Sequence, residues 1–100
     1  NVDKIASVEG IDVLLIGTND LCMEMGIPGQ YDHEDIKQSY KKVIDACNKN
    51  KIAPGMGGVY TDDLMEEYIK MGMKFILSGS DLAFMMSAAK QRSEHLKKII

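Results

Sequence analysis

Val13-Leu14-Leu15-Ile16-Gly17-Thr18-Asn19-Asp20-Leu21 runs through four apolar residues, breaks at Gly17 and delivers a carboxylate three residues later. Continuous hydrophobicity, in place of alternation, marks a buried parallel strand with helices over both faces, and such folds put their chemistry beyond the C-terminal strand ends. Asp20 occupies that position. The same grammar recurs downstream. Ile52-Ala-Pro-Gly-Met-Gly-Gly58 is a small-residue strand candidate, and Phe75-Ile-Leu-Ser-Gly-Ser-Asp81 repeats the order of apolar strand, Gly, polar residue and Asp.

Helical patterns fill the gaps. From about 33 to 48, Ile36, Tyr40, Val43, Ile44 and Cys47 recur at three- and four-residue spacing, with Asp32 as the expected cap and Glu34 and Asp35 at the positive end of the helix dipole. Thr61 is expected to cap a second helix that carries Leu64, Met65, Tyr68 and Ile69 and stops at Gly72. A third runs from Leu82 to Ile100. Its first half is apolar over more than one stripe (Leu82, Phe84, Met85, Met86, Ala88 and Ala89), which predicts a partner surface as well as an internal one. Asn1 to Gly10 reads as the last turns of an amphipathic helix, so the chain is expected to be a piece of a longer one.

The result is an α/β fold, βαβαβα with a terminal helix. Short loops and right-handed crossovers leave an open doubly wound sheet or an arc of a (β/α)8 barrel. Three strands are too few for either in full. The 100 residues form one domain without an internal boundary.

With 45 % hydrophobic and 27 % charged residues the composition is that of an ordinary globular segment, and a net charge of −3 argues against a nucleic-acid or anionic-membrane surface. Lys37, Lys41, Lys42, Lys49 and Lys51 read as the solvated face and exit of one helix. Two cysteines, Cys22 and Cys47, lack zinc spacing and are too few for a disulfide framework, which points to reduced thiols and a cytoplasmic location. No apolar run reaches the length of a membrane span.

Asp20 has two readings. A carboxylate at a strand mouth suits a hard cation such as Mg²⁺ or Mn²⁺; the alternative is a cap for a short helix over Leu21–Met25. Asp81 repeats the setting, but it or Ser80 reads more simply as the cap of the last helix. Gly55, Gly57 and Gly58 lack the spacing of a phosphate loop and imply close approach to the strand. His33 and His95 have no partners at nucleophile or zinc spacing.

Four segments taken in order carry a resemblance: Ile5 through Leu21, Met25-Gly-Ile-Pro-Gly-Gln30 with His33-Glu34, Ala53 through Gly58, and Gly72 through Leu82. Together they resemble the C-terminal part of the HpcH/HpaI aldolase family, class II pyruvate aldolases of the 2,4-dihydroxyhept-2-ene-1,7-dioate and 2-dehydro-3-deoxyglucarate type. The resemblance implies a TIM barrel, (β/α)8, of which this chain supplies strands six to eight, from the end of helix five to helix eight. It implies that Asp20 is one of two protein ligands of a divalent metal (Mg²⁺, Mn²⁺ or Co²⁺), in a Gly-Pro-x-Asp-Leu motif where Thr18 replaces Pro. It implies that Asn19 offers its backbone N–H to the pyruvate carboxylate and that Gly57 and Ser80 wall the aldehyde pocket.

The second ligand, a Glu, and the catalytic Arg and His would lie before Asn1, so no catalytic residue is assigned here and these residues alone would be inactive. The implied activity is cleavage of a 4-hydroxy-2-oxo acid to pyruvate and an aldehyde, and the implied partner is a second copy, in a homohexamer formed through the C-terminal helix. The rivals are a citrate-lyase β-subunit-like acyl-CoA lyase and a non-catalytic α/β module.

Overall fold

The computed structural model describes all 100 residues, Asn1–Ile100. In chain order the elements are α1 (Val2–Ala6), β1 (Val13–Gly17), α2 (Thr18–Glu24), α3 (Glu34–Asn50), β2 (Ala53–Gly57), α4 (Asp62–Met71), β3 (Phe75–Ile76) and α5 (Asp81–Ile99). The strands form one parallel sheet in the order β1-β2-β3. Leu15 lies level with Gly55 and Gly55 with Phe75; Ile16 lies level with Met56 and Met56 with Ile76.

Those two rows face opposite ways. Met56 is fully buried, and Ile16 and Ile76 pack beside it in a cluster with Cys22 of α2, Ile36, Tyr40 and Ile44 of α3, and Tyr68 of α4. Each fully buried side chain of this size is worth about 1.5–3 kcal/mol, so this layer holds the fold. On the other face Leu15, Phe75 and Leu77 are half-exposed. The expectation that helices cover both faces of β1 therefore fails within these residues: α2, α3 and α4 all contribute to the one cluster.

The glycines of β2 serve that bare face. A Cβ at Gly55 would meet the Phe75 carbonyl at 3.0 Å and Leu15 Cδ1 at 3.1 Å, and one at Gly57 would meet Leu77 Cδ1 at 2.9 Å. The close approach read from the sequence is thus made by side chains of the two neighbouring strands folding over β2.

Helix α3 carries the predicted stripe, with Ile36, Tyr40, Ile44 and Cys47 buried and Val43 half-buried, and adds Ala46. It extends to Asn50, two residues past expectation, because Lys51 adopts the left-handed conformation (φ 58°) that ends it. Its cap is His33, whose Nδ1 accepts from the Asp35 backbone N–H at 3.0 Å, in place of Asp32. Thr61 is at the N-cap of α4 as expected but its side chain makes no capping bond, and Ile69 of that helix is half-exposed.

β3 has two residues where a longer strand was expected, with one further ladder bond from Leu77 N–H to the Met56 carbonyl. Only β2 lies beside it, and Gly79 (φ 154°) and the Ser80 cap then turn the chain into α5. No residue of α5 is buried. The molecule measures 60 × 29 × 21 Å with a radius of gyration of 16.9 Å, against about 13 Å for a compact chain of this length. The excess is α5, about 28 Å long at 1.5 Å per residue, projecting from the body.

Candidate functional site

β1 ends at Gly17, which is also the N-cap of α2, so the chain passes from strand to helix without a loop. This overturns the capping alternative for Asp20. The carboxylate lies inside the first turn, after Thr18 and Asn19, and makes no capping bond. It folds back toward the strand: its Oδ2 is 3.3 Å from where a Cβ at Gly17 would stand, so any larger residue there would press on the carboxylate.

Asp20, Asn19, Thr18 and Gly57 line one open cavity of about 300 Å³ at the C-terminal ends of β1 and β2, completed by Leu15, Gly17, Gly58, Tyr60 and Leu77. Asp20 is the one charged group among them. No three His, Cys, Asp or Glu side chains are placed anywhere in the chain so that together they could hold a metal ion. Asp81 caps nothing beyond the adjacent backbone N–H of Leu82.

Ser80 lies beside this cavity, not in its lining. It lies in a neighbouring groove with Ser78, Gly79, Ala83 and Phe84, and its hydroxyl accepts from the Ala83 N–H at 3.2 Å as the cap of α5. Tyr60 alone lines both hollows. The Thr18 hydroxyl is likewise engaged, fully buried and paired with the Tyr40 hydroxyl at 2.5 Å. What Thr18 offers the cavity is therefore the backbone of the turn, and its side chain ties that turn to α3.

The tyrosines were invisible to motif reading as site residues. Tyr31, in the loop before α3, donates its hydroxyl to Asn19 Oδ1. Tyr68 of α4 donates to the Tyr31 backbone carbonyl, and its ring stacks on Tyr40 with centroids 4.1 Å apart. Burial pushes the Tyr68 phenol well above the usual range. Tyr40 is raised for the same reason, partly offset by its bond to Thr18. Both cysteines are free and buried, and burial raises their thiols too. Gly58, at φ 87°, brings its backbone against Asn19, whose N and Nδ2 lie 3.4 Å from any Cβ placed there. The only sequence signal for these contacts was the glycine cluster and a tyrosine two residues on.

The parallel sheet with its helices is an α/β fold that carries one acid, Asp20, at the mouth of its first strand. The chain belongs to the HpcH/HpaI aldolase/citrate lyase family, whose family model matches residues 1–88. It is 32 % identical over 99 % of its length to a 4-hydroxy-4-methyl-2-oxoglutarate aldolase of Chaetomium globosum. It is 29 % identical over 98 % of its length to a 5-keto-4-deoxy-D-glucarate aldolase of Shigella boydii. The chain spans 38 % of the length of each. A crystal structure of a family protein from Burkholderia cenocepacia superposes with a TM-score of 0.85 at 25 % identity, covering 96 % of this chain and 37 % of that one. No helix is long and apolar enough to cross a membrane.

Proposed function

We propose that residues 1–100 are one partial domain, three consecutive βα units (strands six to eight) of a (β/α)8 barrel. The whole protein is then a divalent-metal-dependent aldolase that cleaves a 4-hydroxy-2-oxo acid to pyruvate and an aldehyde. The observation that carries this reading is the Asp20 carboxylate folded over the C-terminal end of a parallel strand into a 300 Å³ cavity. Barrel enzymes build their sites at that end. The bare sheet face supports the same architecture. Leu15, Phe75 and Leu77 stand on the face away from the helices, where a closed barrel packs its interior. The names of the two relatives supply the substrate class.

A hard cation takes oxygen ligands, and Mg²⁺ commonly uses one or two carboxylates with waters and substrate oxygens. Asp20 fits one place in such a set for Mg²⁺, Mn²⁺ or Co²⁺, and with no second carboxylate in the cavity the rest comes from outside these residues. When bound, the ion supplies Lewis-acid polarisation of the substrate's 2-oxo group. Asn19 donates its backbone N–H to the substrate carboxylate. Gly57, beneath the Leu77 side chain, and Gly58 form the wall, and Tyr60 stands between the cavity and the Ser80 groove, where the aldehyde portion extends. No lysine lines the cavity, and Lys51 and Lys74 stand by the opposite end of β2, so nothing in this part offers a Schiff-base amine. The lining also has no cation for the phosphates of an acyl-CoA, which favours a small 2-oxo acid over the lyase alternative.

The exposed apolar residues of α5, Leu82, Phe84, Met85 and Met86, are proposed to pack on a neighbouring copy in a homohexamer. Two buried free thiols suit a reducing compartment, the cytoplasm.

Asp20→Ala in the complete barrel tests the reading. Loss of a direct ligand should cost more than the roughly 10–100-fold typical of losing its supporting hydrogen bonds, with the melting temperature unchanged. Wild-type turnover at saturating Mg²⁺ would overturn it.

A further inference from the structure

We infer that Tyr31 is a positioning residue: its hydroxyl fixes the Asn19 side chain so that the amide nitrogen, and not the carbonyl oxygen, is presented to the carboxylate of the substrate. An asparagine amide can turn either its oxygen or its nitrogen toward a ligand, and only hydrogen bonding decides which. Here the Tyr31 O–H occupies Oδ1. Nδ2 is left beside Gly58, a wall of the cavity, 3.4 Å from where a Cβ would stand. A Cβ at 58 would stand in van der Waals contact with that nitrogen, and φ 87° favours glycine there.

Tyr31 is itself held. The Tyr68 hydroxyl donates to its backbone carbonyl, Tyr68 is fully buried, and it stacks on Tyr40, which bonds Thr18. The two residues preceding Asp20 are thus gripped from opposite sides, Thr18 from the core and Asn19 from the loop. The chemistry explains the polarity. Asp20 already brings a negative charge to this cavity, so an amide oxygen turned inward would repel an anionic substrate, while an N–H donor attracts its carboxylate. Asn19 then contributes two donors, its backbone N–H and Nδ2.

This rests on the aldolase reading, and the experiment separates the two. In the complete barrel, Tyr31→Phe and Asn19→Ala should each raise KM for the 2-oxo acid by about three- to tenfold, the range a single net hydrogen bond spans. kcat should stay within about twofold and the melting temperature should be unchanged. The double variant should be no worse than the poorer single, because the pair acts through one contact. Additive losses, or an unchanged KM in Tyr31→Phe, overturn the proposal.

The side-chain amide resonances of Asn19 in the ligand-free protein give a readout that needs no turnover. They should move toward solvent-exposed values in Tyr31→Phe, and resonances that stay put also overturn it. If the wild type fails to cleave any 4-hydroxy-2-oxo acid while those resonances move, the aldolase reading falls and the positioning role of Tyr31 stands.

Discussion

Helices α3 and α5 are of similar length, 17 and 19 residues, yet α3 buries Ile36, Tyr40, Ile44, Ala46 and Cys47 and α5 buries nothing. Their apolar content does not explain the contrast, since α5 carries Leu82, Phe84, Met85, Met86 and Leu96. The distribution does. In α3 the apolar side chains share one stripe that matches the Ile16–Met56–Ile76 face of the sheet. In α5 they spread around the first half of the helix, which no single flat surface can cover. A stripe names its partner within the chain, whereas a broad apolar girdle asks for surfaces from elsewhere.

The contrast breaks first if α5 is a free helix after all. Met85→Glu with Ala89→Glu puts two charges into the proposed contact between copies and should drop the complete protein to a smaller assembly on a sizing column, with the body of each subunit intact. Elution at the wild-type mass would assign the interface to another surface.

Next comes the energetic difference between the helices. Ile36→Ala in α3 should cost about 2–5 kcal/mol, seen as a lower denaturant midpoint at unchanged slope. Lys90→Ala on the outer part of α5, in contrast, should stay within about 0.5 kcal/mol. Comparable losses at both positions would mean that the two helices are equally engaged.

The smallest effect sharpens the picture at the tyrosines that anchor α3 and α4. Tyr40→Phe leaves the buried Thr18 hydroxyl without its partner, at about 1–3 kcal/mol. Burial holds the Tyr40 and Tyr68 phenols above the ordinary value of about 10, so the folded protein keeps protons that the unfolded chain releases. That contribution is complete below about pH 9 and is lost as the pH rises past 10 toward the folded-state values. Melting temperatures should fall across pH 9 to 11, and Tyr68→Phe should flatten the fall. A wild-type profile that is level over this range would contradict the burial of both rings.

The order of elements was readable from the chain, because a continuous apolar run, a three-to-four-residue stripe and a glycine stop are each local. So was Asp20 as the leading acid, since a strand that ends in Gly17 delivers whatever follows to its mouth. The cap at His33 in place of Asp32 was not readable, because both residues can accept from a helix N–H and the choice depends on which of them turns extended. The division of the strand mouths into two hollows, with Ser80 in the second and Tyr60 lining both, was hidden too, because β3 is only two residues long and the chain turns into α5 directly after it.

By itself the sequence determined an α/β alternation, a parallel sheet and one carboxylate at a strand end, all of which follow from periodicity and from the conformations that glycine permits. Only the tertiary structure decided that the helices cover one face of the sheet and that Leu15, Phe75 and Leu77 close over the glycines of β2. It also decided that Tyr31, Tyr40 and Tyr68, the outer two 37 positions apart, meet beneath the turn that carries Asp20. Such contacts join elements distant in the chain, and no local pattern encodes a hydrogen bond whose two ends are brought together by packing.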